Sequence, residues 1–310
     1  MEANMRWVAL TAVAPVAWGT NYFVTHEFLP AGSPLYGAAL RALPAGLVLL
    51  ALCRQWPRGA WWWRSAVLGL LNVSAFFVLV YVASQLLPTS IASTVMAVSP
   101  LTMMLIAWPV VSERPRTAHL AGAAIGVAGV CLMLLTGADG VSVPGILASA
   151  AAMLVSSFGH ILAKRWSSDA DVLASTAWQL TAGGLFLLPA AAAMEGPPPA
   201  LSASALTAFV YVALVATALA FTAWFTGLRH LPAGTVGLIG LLNPVTGVLL
   251  GTALAAEVLT AQQLCGLGLV LTGVVLGRPT RASRRGSSRP PVPPVSDECP
   301  APTPSACSPR

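Results

Sequence analysis

The stretch LPTSIASTVMAVSPLTMMLIAWPVVSE, residues 87–113, has a second copy at residues 231–257, LPAGTVGLIGLLNPVTGVLLGTALAAE. The matched pairs, all 144 positions apart, are Leu87 with Leu231, Pro88 with Pro232, Pro100 with Pro244, Thr102 with Thr246, Leu105 with Leu249, and Glu113 with Glu257. Leucine matches arise easily by chance in an apolar chain, but two prolines and a glutamate in register do not. The sequence therefore predicts two copies of one unit.

Composition indicates whether these two copies fold in water or in a lipid bilayer. Hydrophobic residues make up 56% of the 310 positions and charged residues only 8%, against about 25% charged in an average soluble domain. A helix needs about 20 apolar residues to cross the hydrocarbon core, and lipid offers no partner to open backbone groups. We therefore predict an all-α integral membrane protein with ten transmembrane helices. The ten apolar runs are 7–24, 34–53, 64–85, 88–111, 119–136, 144–164, 170–193, 204–228, 232–255 and 261–277.

Basic residues predict the orientation, because cytoplasmic loops carry an excess of Lys and Arg. With a cytoplasmic N-terminus, the inner side receives Arg6, Arg54, Arg58, Arg64, Arg114, Arg116, Lys164, Arg165, Arg229 and the tail from Arg278 onward. The outer loops hold Glu27, Asp139, Glu195 and Glu257, and only Arg41 remains inside a span. We therefore predict a multi-pass protein of the cytoplasmic (inner) membrane with both termini cytoplasmic. The net charge of +6 then reflects topology beside anionic lipid, and no nucleic-acid partner is expected.

The number of spans predicts how the copies are related. Five spans per copy is an odd number, so the second copy must insert upside down relative to the first, as an inverted repeat. The first repeat is expected at residues 1–140 and the second at residues 141–278. Residues 279–310 are rich in Pro, Ser and Arg, and too few large apolar side chains remain there to offset the entropy of ordering. They are predicted to form a disordered cytoplasmic tail.

Catalytic and metal-binding constellations are missing from the sequence. The five cysteines have no paired spacing, the four histidines are scattered, and there is no phosphate-binding glycine loop. We therefore expect no enzyme activity, no metal and no cofactor. Inverted repeats favour alternating access to a site near the middle of the membrane, because two equivalent packings can exchange roles. A non-transporting membrane scaffold or assembly protein is the alternative that the residues leave open.

Several short motifs and their arrangement resemble a known family. They are the ten-span plan, Trp18-Gly19 in the first span, Arg41 in the second, Ser99-Pro100 in the fourth, Glu113 after it, and the second copy at Asn243-Pro244 and Glu257. Together these features resemble the EamA branch of the drug/metabolite transporter superfamily over residues 5–278. The resemblance implies a secondary transporter with a central cavity, of a family in which many members export amino acids, metabolites or toxic compounds. We therefore expect export of a small metabolite or amino-acid-like compound across the cytoplasmic membrane.

Arg41 is the leading candidate for substrate binding. It lies seven residues into the second span, about 10 Å along the helix from Pro34. Burying an arginine near the bilayer centre costs at least about 2.5 kcal/mol, and snorkelling towards the outer surface is the alternative to a functional role. The counterpart in the second half is Gln179, which is polar but uncharged and is a further candidate for substrate binding. We therefore expect Arg41 to bind a substrate with an anionic group, which includes an amino-acid-like zwitterion.

Other candidates lie at repeated or neighbouring positions. Ser99 and Asn243 precede the repeated prolines, and they either bind substrate or join helices. Trp18 and Tyr81 are predicted to line the cavity, and the remaining aromatic candidates are better interpreted as core: Tyr22, Trp178, Trp224 and Phe225. Pro100 and Pro244 are expected to bend the middle of their spans, which either shapes a gate or serves packing.

Acidic and small residues complete the candidates. Glu113 and Glu257 stand at helix ends, where we expect them to anchor loops rather than to carry protons. The fifth and tenth spans have glycines at small-residue spacing: Gly122, Gly126, Gly129, Gly266, Gly268 and Gly273. These glycines predict close helix contacts, either between the halves or in a homodimer.

Overall fold

The computed structural model describes residues 2–28, 33–86, 95–134, 142–255 and 260–276, which contain helices and no strand. We label the helices in chain order and count once a helix that continues through a π-helical segment or a short turn. They are α1 (Glu2–Phe28), α2 (Pro34–Cys53), α3 (Trp61–Gly69, π-helical Leu70–Ala75, Phe76–Leu86), α4 (Ser99–Val111), α5 (Thr117–Leu134), α6 (Val143–Trp166), α7 (Val172–Met194), α8 (Ala203–Ala213, π-helical Leu214–Leu219, Ala220–His230), α9 (Ala233–Gly240, a turn at Leu241, Leu242–Ala255) and α10 (Ala261–Leu276).

Five of the described helical stretches are long and apolar enough to cross a membrane. They are Pro34–Cys53, Trp61–Ala83, Val143–Trp166, Val172–Met194 and Ala203–His230. Large apolar side chains on their outer faces stay exposed, among them Leu52, Leu147 and Phe186. Water would disfavour so much exposed apolar surface, whereas lipid tails solvate it. The fold is therefore that of an all-helical membrane protein.

Local sequence sets several of the helix ends. The side chains of Ser142, Asp171 and Ser202 accept hydrogen bonds from backbone N–H groups in the first turns of α6, α7 and α8. Such N-caps satisfy donors that the helix itself leaves open. At the other ends, Arg54 after α2 and Ser112 after α4 adopt the left-handed conformation, with φ of 52° and 58°, that commonly terminates a helix.

Packing joins the two predicted halves throughout. α2 packs most extensively against α7, and α5 against α10. α1 packs against α8 and α9, whereas α6 packs against α3 and α4. Met1–Arg278 accordingly forms one compact unit. The boundary predicted near residue 140 does not separate two packing units, because each half completes its core with helices of the other.

The glycines of α5 and α10 let these helices approach closely. A Cβ atom at Gly129 would lie 2.7 Å from the carbonyl oxygen of Gly266. A Cβ atom at Gly273 would lie against the carbonyl oxygen of Gly122 and 3.0 Å from the backbone nitrogen of Gly126. These predicted close contacts are therefore made within the chain, between α5 and α10. Gly268 differs from them, since a Cβ atom there would meet open space.

Two π-helical segments interrupt α3 and α8 at corresponding places. Leu70–Ala75 and Leu214–Leu219 lie 144 positions apart, which is the offset of the repeated stretch, and Phe77 and Phe221 follow them at the same offset. π-helical turns are rare and occur frequently at functional sites. The residues around the two π-helical segments are therefore candidates for the functional site.

Contacts between helix ends define one end of the bundle. Four contacts gather there: Lys164 with Glu113, Arg64 with Asp169, Arg229 with the carbonyl oxygen of Ala170, and Trp7 stacked on His230. We call this end the basic end. At the opposite end, the carboxylate of Glu195 accepts hydrogen bonds from the backbone nitrogens of Leu35 and Tyr36, at 2.7 and 3.0 Å. The start of α2 and the end of α7 thus lie together, away from the basic end.

Candidate functional site

The π-helical segment of α8 accepts hydrogen bonds from two of the predicted site residues. On α1, Trp18 donates from Nε1 to the carbonyl oxygen of Ala216 at 3.1 Å. On α2, Arg41 donates from Nε to the hydroxyl oxygen of Thr217, also at 3.1 Å. The two acceptors belong to consecutive residues, so the structure brings Trp18 and Arg41 to one turn of α8. Hydrogen bonding in a π-helical turn departs from the regular α-helical ladder, and we attribute the contact with the Ala216 carbonyl to this departure.

The guanidinium group of Arg41 lies between the altered parts of α3 and α8. Its Cζ atom is 4.6 Å from the ring centroid of Phe77, just beyond the π-helical segment of α3. Such an arrangement is a cation–π contact, which strengthens when water is excluded. Thr217 is fully buried and stands near the middle of the stretch Ala203–His230. The Nε atom of Arg41 is therefore held beside the middle of α8.

Aromatic rings surround the other side of Trp18. Its ring centroid is 5.3 Å from that of Phe221 and 5.2 Å from that of Trp224. His160 on α6 extends the group, with centroids 5.6 Å from Trp224 and 5.7 Å from Phe225. The sequence interpretation assigned Trp224 and Phe225 to the core, and both are buried.

His160 belongs to this aromatic group. The sequence did not predict this contact, because its four histidines are scattered along the chain. A weak signal was present, because Phe158-Gly159 stands 140 positions after Trp18-Gly19 and pairs an aromatic residue with a glycine in the same way, and His160 follows it directly. In the structure His160 joins the aromatic group that begins at Trp18.

Gln179 has contacts different from those of Arg41. It is buried on α7, and its Oε1 accepts a hydrogen bond from Nδ2 of Asn72 at 2.9 Å. Asn72 belongs to the π-helical segment of α3, and its own Oδ1 has no hydrogen-bond partner among the described residues. A Cβ atom at Gly159 would collide with this oxygen. These contacts support a packing role for Gln179 between α3 and α7.

Asn243 lies close to Trp18. A Cβ atom at Gly19 would be 2.8 Å from the carbonyl oxygen of Asn243, so α1 and α9 touch at this point. In the part of the chain that the structure describes, nothing donates a hydrogen bond to the buried Oδ1 of Asn243. Ser99 begins α4 and is half-buried. Tyr81 is half-buried on α3, four residues after Phe77 and hence on the same side of the helix.

The sequence predicted that Pro100 and Pro244 bend the middle of their helices. In the structure each of them lies in the first turn of a helix. Pro100 stands in the first turn of α4, after a turn at residues 97–98. Pro244 stands in the first turn of Leu242–Ala255, after the turn at Leu241. The first turn tolerates proline, because the N–H that proline lacks would have no partner there. The breaks precede the prolines.

Glu113 joins three helix ends at the basic end. Its Oε1 is 2.7 Å from Nζ of Lys164, and its Oε2 accepts a hydrogen bond from the backbone nitrogen of Ala233 at 2.7 Å. Lys164 also donates to the carbonyl oxygen of Leu231 at 2.5 Å. These contacts support an anchoring role, since the carboxylate caps α9 and ties it to α4 and α6. Glu257 and the side chain of Tyr22 lie outside the described residues.

Comparison with known proteins assigns the chain to a family. The model of the EamA-like transporter family matches residues 5–135 and again residues 143–277. The chain belongs to the EamA-like transporter family. It is similar to Protein PecM of Dickeya dadantii (strain 3937), with 34% identity over 265 residues that cover 85% of this chain and 89% of that protein. As a member of the EamA-like family, the chain is an integral membrane transporter.

Two further matches extend the comparison of this EamA-like chain. The Probable terminal-alkyne amino-acid exporter of Streptantibioticus cattleyicolor is 26% identical over 290 residues, which cover 92% of this chain and 97% of that protein. A solved crystal structure superposes with a TM-score of 0.78 and 22% identity, over 88% of this chain and 98% of the other. At that identity the superposition shows a shared fold.

Proposed function

We propose that the protein is a secondary transporter that exports a small, amino-acid-like metabolite across the cytoplasmic membrane by alternating access, and that Arg41 binds the anionic group of this substrate. The observation that carries the proposal is the hydrogen bond from Arg41 to Thr217. It holds a guanidinium group in the middle of the bundle, where ionisable residues typically mark the path of a substrate or an ion.

Arg41 has the chemistry that an anionic group requires. A guanidinium group presents five N–H donors in a rigid fork that matches the two oxygens of a carboxylate. The contacts with Thr217 and with the ring of Phe77 restrict the orientation of this fork. A side chain that is already oriented loses less entropy when it binds. Arg41 is therefore suited to recognise a carboxylate.

Trp18 and Asn243 suit the remainder of an amino-acid-like substrate. The Oδ1 of Asn243 is a hydrogen-bond acceptor to which no described residue donates, and an ammonium group is all donor. The rings of Trp18 and Trp224 lie nearby, and indole faces attract cations. The similarity to an amino-acid exporter supports the same class of substrate.

Ten spans arranged as two inverted repeats form the second part of the proposal. The double match of the family model supports it, as do the equal offset of the two π-helical segments and the reciprocal packing of α1 and α6. The charge of the basic end supports cytoplasmic termini. The homodimer predicted from the glycines stays a prediction, and among the glycines of α5 and α10 Gly268 offers it an open face.

Alternating access follows from this arrangement. A turn at Leu241 divides the predicted ninth span into two helical pieces, and a turn at residues 97–98 precedes the helix that begins at Ser99 in the predicted fourth span. Broken helices near the middle of the membrane are typical of secondary transporters with inverted repeats. Because the two halves have related sequences, each can adopt the packing of the other. The exchange closes the site on one side of the membrane and opens it on the other.

Metabolite profiling tests the proposed function. Medium and cytoplasm are compared in cells that express the wild-type protein, the Arg41→Gln variant or no protein, with membrane abundance measured in parallel. We expect a carboxylate-containing metabolite to accumulate in the medium of cells with the wild-type protein, and far less of it in cells with Arg41→Gln or without the protein. Arg54→Gln, which changes an exposed arginine at the end of the same helix, is the matched control and should behave as wild type. Medium that does not change with expression would contradict the proposal.

A further inference from the structure

Polar contacts at the basic end join the two predicted repeats. Glu113 follows α4 in the first repeat, and its Oε1 is 2.7 Å from Nζ of Lys164 on α6 in the second. Its Oε2 accepts a hydrogen bond from the backbone nitrogen of Ala233, the first residue of α9. Lys164 also donates to the carbonyl oxygen of Leu231, between α8 and α9. We call these four residues the latch. The latch ties the end of α4 to α6 and to the start of α9.

A buried apolar layer stands between the latch and the candidate substrate site. Met103 on α4, Leu228 on α8 and Ile239 on α9 are buried. They belong to the same hydrophobic cluster as Trp224 and Phe225 of the aromatic group. The aromatic group is therefore covered on the side of the basic end by side chains of α4, α8 and α9.

The space left between the latch and the aromatic group is too small for a metabolite. One cavity is lined by both Lys164 and Phe225, and its volume is about 10 Å³. Such a cavity has room for about one water molecule, and an amino acid contains several times as many heavy atoms. In this conformation a substrate therefore does not pass from the basic end to the aromatic group along this route.

The contact between α4 and α9 is of a kind that can repack. A Cβ atom at Gly237 would lie 3.6 Å from Sδ of Met103, and a Cβ atom at Gly234 would lie 3.0 Å from Cγ and Sδ of Met104. Methionine side chains are flexible and adapt to a changed surrounding. The two glycines present no side chain that would interlock with α4. α4 can therefore separate from α9 once the latch is broken.

α2 and α7 form a pair that is joined at both of its ends. Near the basic end, Trp178 donates from Nε1 to the carbonyl oxygen of Gln55 at 2.7 Å. At the opposite end, Glu195 accepts hydrogen bonds from the backbone nitrogens of Leu35 and Tyr36. A pair tied in this way moves as one unit, so the opening at the basic end falls to α4 and its partners.

An exporter takes its substrate from the cytoplasm, and the basic end is the end proposed to face it. We propose that the latch is the cytoplasmic gate of the transporter, and that parting of Glu113 and Lys164 opens the way to the candidate substrate site. Arg165 donates to the carbonyl oxygen of Val110 at the same junction and leaves α4 in the same movement. Both members of the ion pair are partly exposed, so water replaces their hydrogen bonds when they part. The inference rests on the proposed function, which supplies the orientation and the direction of transport.

The accessibility of a buried thiol tests the gate without a known substrate. Met103→Cys places a thiol in the apolar layer. Its reaction with a water-soluble maleimide is followed on the purified full chain in nanodiscs, with each labelled cysteine identified by mass spectrometry. The rate follows the open population when closing is faster than labelling. We expect Glu113→Gln in this background to raise the rate at least about tenfold, because the loss of a charged hydrogen bond typically shifts a population by that factor.

Matched variants separate a gate from general loosening. Asp169→Asn breaks the exposed ion pair with Arg64 at the same end and should leave the rate at position 103 unchanged. The native Cys53, half-buried at the end of α2, should react at one rate in every variant. Lys164→Gln removes the other partner and should reproduce the effect of Glu113→Gln, which keeps the test decisive if one variant does not fold. Lys164→Arg keeps the charge and should react slowly.

The result that would overturn the gate is an unchanged rate at position 103 in both Glu113→Gln and Lys164→Gln, or an equal rise at Cys53. Nanodiscs expose both faces of the protein, so this result does not depend on orientation or on export. Absence of export in metabolite profiling would contradict the proposed function while the accessibility result stood. An external signal from a reporter fused after Arg165 would overturn the cytoplasmic position of the gate, so the two failures are distinguishable.

Discussion

The Nε atom of Arg41 donates a hydrogen bond to the hydroxyl oxygen of Thr217, and this bond joins α2 to the middle of α8. Arg41 belongs to the first predicted repeat and Thr217 to the second. The bond therefore crosses the interface at which the two repeats would move during transport. A substrate that binds Arg41 more tightly in one packing than in the other shifts the balance between them, so one contact can link recognition to movement.

The charge and shape of Arg41 are both expected to matter for transport. Arg41→Gln removes the charge, and we expect it to reduce transport at least about tenfold, since one bidentate charged contact typically exceeds 1.4 kcal/mol. Arg41→Lys keeps the charge but loses the fork, so partial transport should remain. Initial export rates at equal membrane abundance measure both effects. Full transport by the Gln variant would exclude Arg41 from substrate binding.

Thr217 is expected to support Arg41 through its hydroxyl group. Thr217→Val keeps the volume but removes the acceptor, which leaves Nε of Arg41 without this partner at a cost of about 1–3 kcal/mol. We expect weaker apparent substrate affinity with near-normal abundance. Thr222→Val is the matched control, because the Thr222 hydroxyl donates to the carbonyl oxygen of Ala218 within its own helix. Equal effects in the two variants would leave Thr217 with no special role.

Pro100 and Pro244 are expected to maintain the breaks that precede them. Alanine restores the missing N–H, so Pro100→Ala and Pro244→Ala should let the helix extend through each break. We expect reduced transport with little change in abundance. Pro189→Ala, at an exposed position within α7, serves as the control. If both single variants and the double variant transport normally, the prolines only serve packing.

Reporter fusions test the orientation of the chain. We expect fusions after Arg64, Arg165 and Arg289 to report a cytoplasmic position, and fusions after Gly140 and Gly196 to report an external one, because the loop Lys and Arg residues fall on one side. The fusion after Arg165 decides most, since it tests the inverted insertion of the second repeat. An external signal there is incompatible with that insertion.

Glu113 is expected to contribute more to stability than other acids of the basic end. Glu113→Gln breaks the half-buried ion pair with Lys164 and weakens the cap of α9, so we expect a loss of about 1–3 kcal/mol in thermal unfolding in detergent.

Asp169→Asn is the control for Glu113→Gln, because it breaks the exposed pair with Arg64. The hydrogen bond from Arg64 lowers the pKa of Asp169, so this carboxyl is charged at neutral pH. A lowered pKa adds stability above the ordinary Asp pKa and loses it as pH falls through the lowered value. The control should therefore have a smaller effect that is constant between about pH 5 and 8. A larger loss in Asp169→Asn would contradict the assignment to Glu113.

The sequence alone determined the class of the protein and the course of its helices. The length of an apolar run decides whether a helix can cross lipid, and this length is read from consecutive residues alone. The run predicted at residues 34–53 is α2, and the run predicted at 144–164 is α6 extended by a few residues. The repeat at offset 144 was visible for the same reason, since prolines and helix-end acids leave a mark at their own positions.

Only the tertiary structure decided which side chains meet. Thr217, which accepts a hydrogen bond from Arg41, stands 176 positions away. Predicting this contact requires the rotation of two helices about their axes, which a nearly uniform apolar surface does not encode. The π-helical segments and the breaks before Pro100 and Pro244 depend on contacts with neighbouring helices, so a prediction from local pattern placed the bends at the prolines themselves. The contacts of His160 with Trp224 and Phe225 likewise depend on how the helices are arranged in space, and the local sequence does not show them.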